Sequence, residues 1–126
     1  MQEVLKKLRF KEGGTVLHAP SEMAQAFSKL GLQNAFDRKA KSTQTLVFLR
    51  NNAELMAFLK NDLQHIEPDS LLWFAYPKGS SKVKTDINRD TIRVTGEKFG
   101  ITTVTAVSID DTWSALRFRP IERVGT

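Results

Sequence analysis

The sequence predicts one α/β domain of Rossmann-like, three-layer build, with a mostly parallel sheet and an antiparallel strand pair toward its C-terminal end. Three observations carry this. The runs TVLHA (15–19), TLVFL (45–49) and LLWFAY (71–76) are made almost wholly of apolar or β-branched residues, as strands covered on both faces are. Segments with apolar residues at helical spacing separate them, and strands alternating with helices build parallel sheets. The last two runs, TTVTAVSI (102–109) and SALRFRPI (114–121), are joined by residues 110–113 alone. A parallel crossover needs a dozen residues or more, so this pair runs antiparallel.

The elements follow in order. In residues 2–9, Val4, Leu5 and Leu8 fall on one helical face, and the glycines of KEGG then break the pattern. After the first strand, Pro20 and Ser21 suit a helix start; Met23, Ala26, Phe27 and Leu30 form its apolar stripe, and Gly31 ends it. QNAFD (33–37) is expected as a weak second strand, followed by a polar connection over 38–44. Asn51 or Asn52 caps a helix whose face is Leu55, Met56, Phe58, Leu59 and Leu63. EPDS (67–70) closes it before the strand at 71–76. Thr85 and Asp86 are expected as caps for a helix over 87–99, with Gly96 weakening it and Gly100 stopping it. No repeat, linker or low-complexity segment divides the chain, so residues 1–126 form a single domain.

Composition narrows the function classes. The chain has 126 residues, 40% apolar and 26% charged, which is globular rather than disordered. It has no cysteine, which removes disulfides and thiolate metal sites and fits a reducing, cytoplasmic compartment. Its two histidines, His18 and His65, are far apart, against a histidine metal centre. No run reaches the length of a membrane span, and the first residues lack the apolar stretch of a signal peptide. The net charge of +5 is spread along the chain without a dense basic tract, so nucleic acid is not the expected partner.

Two strings stand out. FAYPKGSSKVKTD (74–86) leaves a buried strand and gathers Lys78, Lys82 and Lys84 with Ser80 and Ser81. It lacks the G-x-x-x-x-G-K-[ST] spacing of a P-loop. SIDDTWSALRFRP (108–120) carries Asp110, Asp111, Trp113 and Ser114 at the strand reversal.

The order of elements resembles a trimmed class I methyltransferase fold. LKKLRFKEGGTVLHA resembles that superfamily's entry into its first strand, and TLVFLRNNAELMAFLKNDLQHIEPDSLLWFAYPKG its middle section. The resemblance implies that the final strand lies between strands 71–76 and 102–109. It also implies a glycine-rich cofactor loop after the first strand, but HAPSEM here has no glycine, so the loop is degenerate for S-adenosylmethionine. Asp37 is the residue that would match the family's ribose-binding acid. WFAYPKGSSKVKTD (73–86) and the terminal string also resemble the signatures of an uncharacterised bacterial family, a domain of unknown function. That resemblance implies no activity.

If the final strand takes that central place, both strings meet at the carboxyl edge of the sheet, where open α/β sheets bind ligands. Lys78, Ser80, Ser81, Lys82, Lys84, Asp110, Asp111, Trp113 and Ser114 are then the candidate ligand-binding residues. One account has the lysines and serines surround an anionic small molecule or nucleotide, aided by the N-terminus of the 87–99 helix, with Trp113 as a flat wall. The other has the loops pin each other, an aspartate capping the turn and another facing Lys78. Arg117 and Arg119 share one strand face and need partners: an acid on a covering helix, or a ligand. His65 is expected to meet helix C-terminal carbonyls, and His18 to bond backbone. No cofactor and no catalytic residue is assigned. A methyltransferase-related enzyme and a protein-interaction module, including a homodimer, stand as alternatives to the binding domain.

Overall fold

The computed structural model describes residues 1–37 and 39–124. The chain runs α1 (Gln2–Lys7), β1 (Thr15–Leu17), α2 (Ser21–Lys29), β2 (Ser42–Phe48), α3 (Asn52–Asn61), β3 (Ile66–Pro77), α4 (Arg89–Glu97), β4 (Ile101–Ser108) and β5 (Trp113–Pro120). The strands form one sheet in the order β1-β2-β3-β5-β4. β1, β2 and β3 are parallel, and β5 runs antiparallel to both its neighbours. The Rossmann-like class is therefore correct, and β5 lies between β3 and β4 as expected.

Each face of the sheet has its own core. On one, Val4 and Leu8 with Met23 and Phe27 pack against Leu46, Phe48, Trp73, Ala75, Trp113 and Ala115. On the other, Leu55, Phe58, Leu59 and Ile92 pack against Val47, Leu49, Phe74, Leu116 and Phe118. Alternate residues of β5 serve opposite cores, as the two-residue strand period demands. The helix-side rings stack edge-on in series: Phe58 to Phe74 at 5.3 Å and Phe74 to Phe118 at 5.0 Å between centroids. Trp73 is fully buried, and its indole N–H donates to the Leu8 carbonyl at 3.1 Å, which ties the end of α1 to the sheet.

Gly96 lies inside α4, where it lowers helix propensity. Packing explains it: a Cβ there would come 2.7 Å from Cε2 of Phe118, so only glycine lets α4 lie this close to β5.

Several expected boundaries move. Residues 33–37 form no strand; Gln33 makes one parallel bridge to Thr15, with Val16 N–H donating to Gln33 O at 2.8 Å. Phe36, the large apolar residue of that stretch, instead stacks on His65 at 5.1 Å. Its loss leaves too little apolar surface to hold a strand. His65 thus meets a ring, not the carbonyls expected for it. β2 begins at Ser42, inside the expected connection 38–44; Arg38 of that connection lies outside the described residues. β3 begins at Ile66, so EPDS belongs to the strand, with Asp69 at φ 56° marking its irregular stretch. α4 starts two residues later than expected. Its cap is Asn88, in a reciprocal box with Thr91, rather than Thr85 or Asp86.

The Gln33 bridge also positions the site. After β1 the chain moves outward to Gln33, whereas after β2 it moves inward to β3. α2 and α3 cover opposite faces of the sheet. The connections diverge between β1 and β2, and such a switch point opens a crevice at the carboxyl ends of the strands.

Candidate functional site

The two conspicuous strings meet at the carboxyl edge. Pro77 pairs with Trp113 and Tyr76 with Ser114 in the antiparallel register. Beyond the strands the contact continues: Lys78 N–H donates to Thr112 O at 2.7 Å, and Lys78 Nζ donates to Ser108 Oγ at 2.6 Å. Asp110 makes the reversal possible. Its Oδ1 accepts from the N–H groups of Thr112 and Trp113 at 2.8 and 2.7 Å, an Asx-type turn. With that carboxylate turned onto its own backbone, the expected ion pair from the aspartates to Lys78 does not form. Asp111 is exposed. Ser114 Oγ donates to Val107 O at 3.1 Å, and Ser81 Oγ to Lys78 O at 2.7 Å.

The far end of the lysine string is anchored as well. Thr85 Oγ1 donates to Arg50 O at 2.6 Å. Asp86 Oδ1 accepts from Asn52 N–H at 2.7 Å, and Asn51 Oδ1 from Glu54 N–H at 2.9 Å. The first turn of α3, a natural anion site, thus already holds the chain's own carboxylate. At α4, Thr91 N–H is taken by Asn88 Oδ1 at 2.9 Å, so that helix end offers less to an anion than its position suggests. Residues 78–86 form a strap over the carboxyl ends of β3 and β2, fixed at both ends. Between the anchors Ser80, Lys82 and Lys84 are exposed, and neither lysine has a partner among the described residues.

Sequence reasoning missed Arg50. It follows the last buried residue of the second apolar run and stands at the switch point. Its Nη2 donates to His18 O at 3.0 Å, its backbone N–H donates to Glu54 Oε1 at 2.8 Å, and its guanidinium lies 5.9 Å from the Trp113 ring centroid. His18 itself is left-handed at φ 60°, and it is the carbonyl of this residue that Arg50 holds. A cavity of 270 Å³ opens here, lined by His18, Leu49, Arg50, Glu54, Ala57 and Phe58 among others. Trp113 is buried, its ring edge-on to Phe48 at 5.0 Å. The signal available in sequence was positional: a cation directly after a buried parallel strand faces the ligand edge.

At the opposite end of β5, Arg119 is satisfied by Asp69, Nε to Oδ1 at 2.7 Å and Nη2 to Oδ2 at 3.0 Å. The acid comes from the irregular start of β3, not from a covering helix as expected. The fork-to-fork geometry holds the Asp69 carboxyl below its ordinary range and raises Arg119.

Comparison with known proteins agrees with the fold. A crystal structure of a SAM-dependent methyltransferase from Aquifex aeolicus superposes with a TM-score of 0.55 at 16% identity, over 93% of this chain and 87% of that one. A protein of the NADB-Rossmann superfamily from Streptococcus agalactiae gives 0.55 at 9% identity, over 95% and 68%. No family model matches the chain, and no curated protein does. The resemblance to a methyltransferase-type Rossmann fold is thereby supported at the level of architecture. Among the described residues, no helix is long and apolar enough to cross a membrane.

Proposed function

We propose that this chain is a binding domain for an anionic small molecule or nucleotide, held at the carboxyl edge beneath the strap. The observation that carries this is the strap itself: both ends are hydrogen-bonded down, while Lys82 and Lys84 between them are exposed and have no partner among the described residues. Lys82 and Lys84 supply the charge and Ser80 a hydroxyl. Lys78, Ser81, Asp110 and Ser114 act chiefly by fixing the loops, and Trp113 backs Arg50 rather than stacking on a ligand. Asp111, exposed at the turn, sets the rim. Titration calorimetry with ATP and with inorganic phosphate tests this. Binding of either that is lost in Lys82→Ala, Lys84→Ala supports it. No heat with either at millimolar ligand, or full retention in the double variant, overturns it.

A methyltransferase-related enzyme is the second reading, favoured by the fold neighbour from Aquifex aeolicus. Against it, Arg50 reaches into the crevice between β1 and β2, and the loop after β1 has no glycine. Thermal shift with S-adenosylmethionine decides: a stabilisation that Arg50→Ala increases would establish this reading in place of the first. An uncharacterised bacterial, cytoplasmic family sharing the two strings fits either reading. A homodimeric interaction module is the third, and light scattering that returns a monomer removes its dimeric form.

A further inference from the structure

We propose that the cleft between α2 and the Gln33 segment, at the outer edge of β1, binds a flat, uncharged ring with an amide edge, of the nucleobase or lactam class. The site follows from how the sheet ends. After α2 the chain returns to β1 only through the single bridge from Gln33 to Thr15, and residues 34–37 make no further ladder. A further strand would have filled the flank beside Val16. In its place a cavity of 390 Å³ opens, within the roughly 300–1,000 Å³ of small-molecule pockets.

Its walls are held by backbone hydrogen bonds rather than by side chains. Gly31, at φ 86°, ends α2: its N–H donates to Ser28 O at 3.0 Å, and Leu32 N–H donates to Phe27 O at 3.1 Å, the two bonds of a Schellman cap. The next residue is fixed from the β1 side. Gln33 N–H donates to Gly14 O at 2.9 Å, and Gln33 O accepts from Val16 N–H at 2.8 Å. The cavity is therefore formed before any ligand arrives, and its polar side chains are left available.

The lining divides by chemistry. Val16, Phe27 and Leu32 are buried members of the core on the α1 side and give an apolar floor. Ala19, Ala24 and Ala35 bring only methyl groups, which leaves the space open. Ser28, Gln33 and Asn34 supply a hydroxyl and two carboxamides. All three are exposed, and none is hydrogen-bonded through its side chain among the described residues. No described residue of the lining is ionisable.

These features select the ligand. An ion would lose water here without meeting a counter-charge. A sugar would press hydroxyls onto the apolar floor, where they gain no bond. A purely apolar molecule would strip water from the carboxamides and leave them unpaired. A flat ring with amide groups in its rim meets both demands: its face lies on the floor, and its edge offers a donor beside an acceptor. A carboxamide matches such an edge with two hydrogen bonds, as Asn and Gln do with adenine. The cleft shares no residue with the strap or with the cavity at Arg50, so it stands whether or not an anion binds there.

The test uses the whole chain, labelled with ¹⁵N, and uracil at about 10 mM, a concentration suited to so small a ligand. The expected result is shifts of the Ala24, Ser28 and Ala35 amides and of the Gln33 and Asn34 side-chain NH₂ resonances. Dimethyluracil, methylated on both ring nitrogens, keeps the ring and its carbonyls but has no N–H; it should bind about tenfold more weakly. Orotate, the same ring with a carboxylate, should leave these resonances unmoved. Replacing both carboxamides, Gln33→Ala with Asn34→Ala, should weaken uracil about tenfold. Ala24→Leu should abolish binding by filling the cavity, while the rest of its spectrum stays that of the parent. No shift at these positions, equal binding of dimethyluracil, full retention in the double variant, or unchanged binding to Ala24→Leu would overturn the proposal. So would orotate acting on the same resonances as strongly as uracil, which would mark an anion site.

Discussion

The carboxyl edge and the lower end of β5 both gather charged side chains, and they differ in which of these find a partner within the chain. At the carboxyl edge, Lys78, Asp110, Ser114, Thr85 and Asp86 all have partners within the chain. At the lower end, Arg119 has Asp69, but the Nε of Arg117, two residues away on the same face, has no hydrogen-bond partner among the described residues. The residues that look most unusual in sequence are largely spent on holding loops together. The residue left with an unmet requirement looks ordinary there. Composition marks where polar chemistry accumulates, whereas satisfaction of each group marks where the chain still has something to offer.

Four changes probe this contrast. The largest effect belongs to the strand both regions share. Phe118→Ala empties the space between Phe74 and Gly96, and urea denaturation should show a loss of about 3–5 kcal/mol. A loss below 1 kcal/mol would mean that β5 is not fastened by the α4 side. Next, Asp110→Ala removes two hydrogen bonds to backbone and should cost about 1–2 kcal/mol. It should also speed hydrogen exchange at Lys78, whose amide bonds Thr112; unchanged exchange would separate the two loops. Arg117→Met should be neutral or stabilising by up to about 1 kcal/mol, because it removes a buried donor without a partner. A clear loss would show that Arg117 supports the fold.

The smallest effect is one of pH. Asp69 has a folded pKa below its reference of 3.8, with the hydrogen bond from Arg119 as the first cause. A carboxylate with a depressed folded pKa contributes stability above 3.8 that is lost as pH falls through the folded value. Acid unfolding of Asp69→Asn should therefore be flatter below that pH than in the parent. Parallel profiles would place the Asp69–Arg119 pair outside the stability balance.

Most of the architecture was readable because it rests on periodicity and connection length. Four residues between β4 and β5 allow only an antiparallel pair, and the runs at 45–49 and 71–76 are too continuously apolar to be anything but covered strands. The errors fell where tertiary partners decide. Phe36 left its segment to stack on His65, and residues 67–70 joined β3 although Pro68 and Asp69 read as a turn. In the candidate site, the meeting of residues 76–78 with 112–114 was legible from topology. Arg50, Asp86 and Asp69 were not, because each acts on a residue at least 32 positions away that no local pattern links to it.

In the proposed function the strap has two parts, ends that are hydrogen-bonded down and a middle that would take the ligand. Titrating ATP into ¹⁵N-labelled protein tests this directly. The predicted result is shifts confined to residues 79–84 and the rim beside them, with the Lys78, Thr112 and Trp113 amides unmoved. Shifts centred on Lys78 and residues 110–114 without the lysines, or no shift at all, would contradict it.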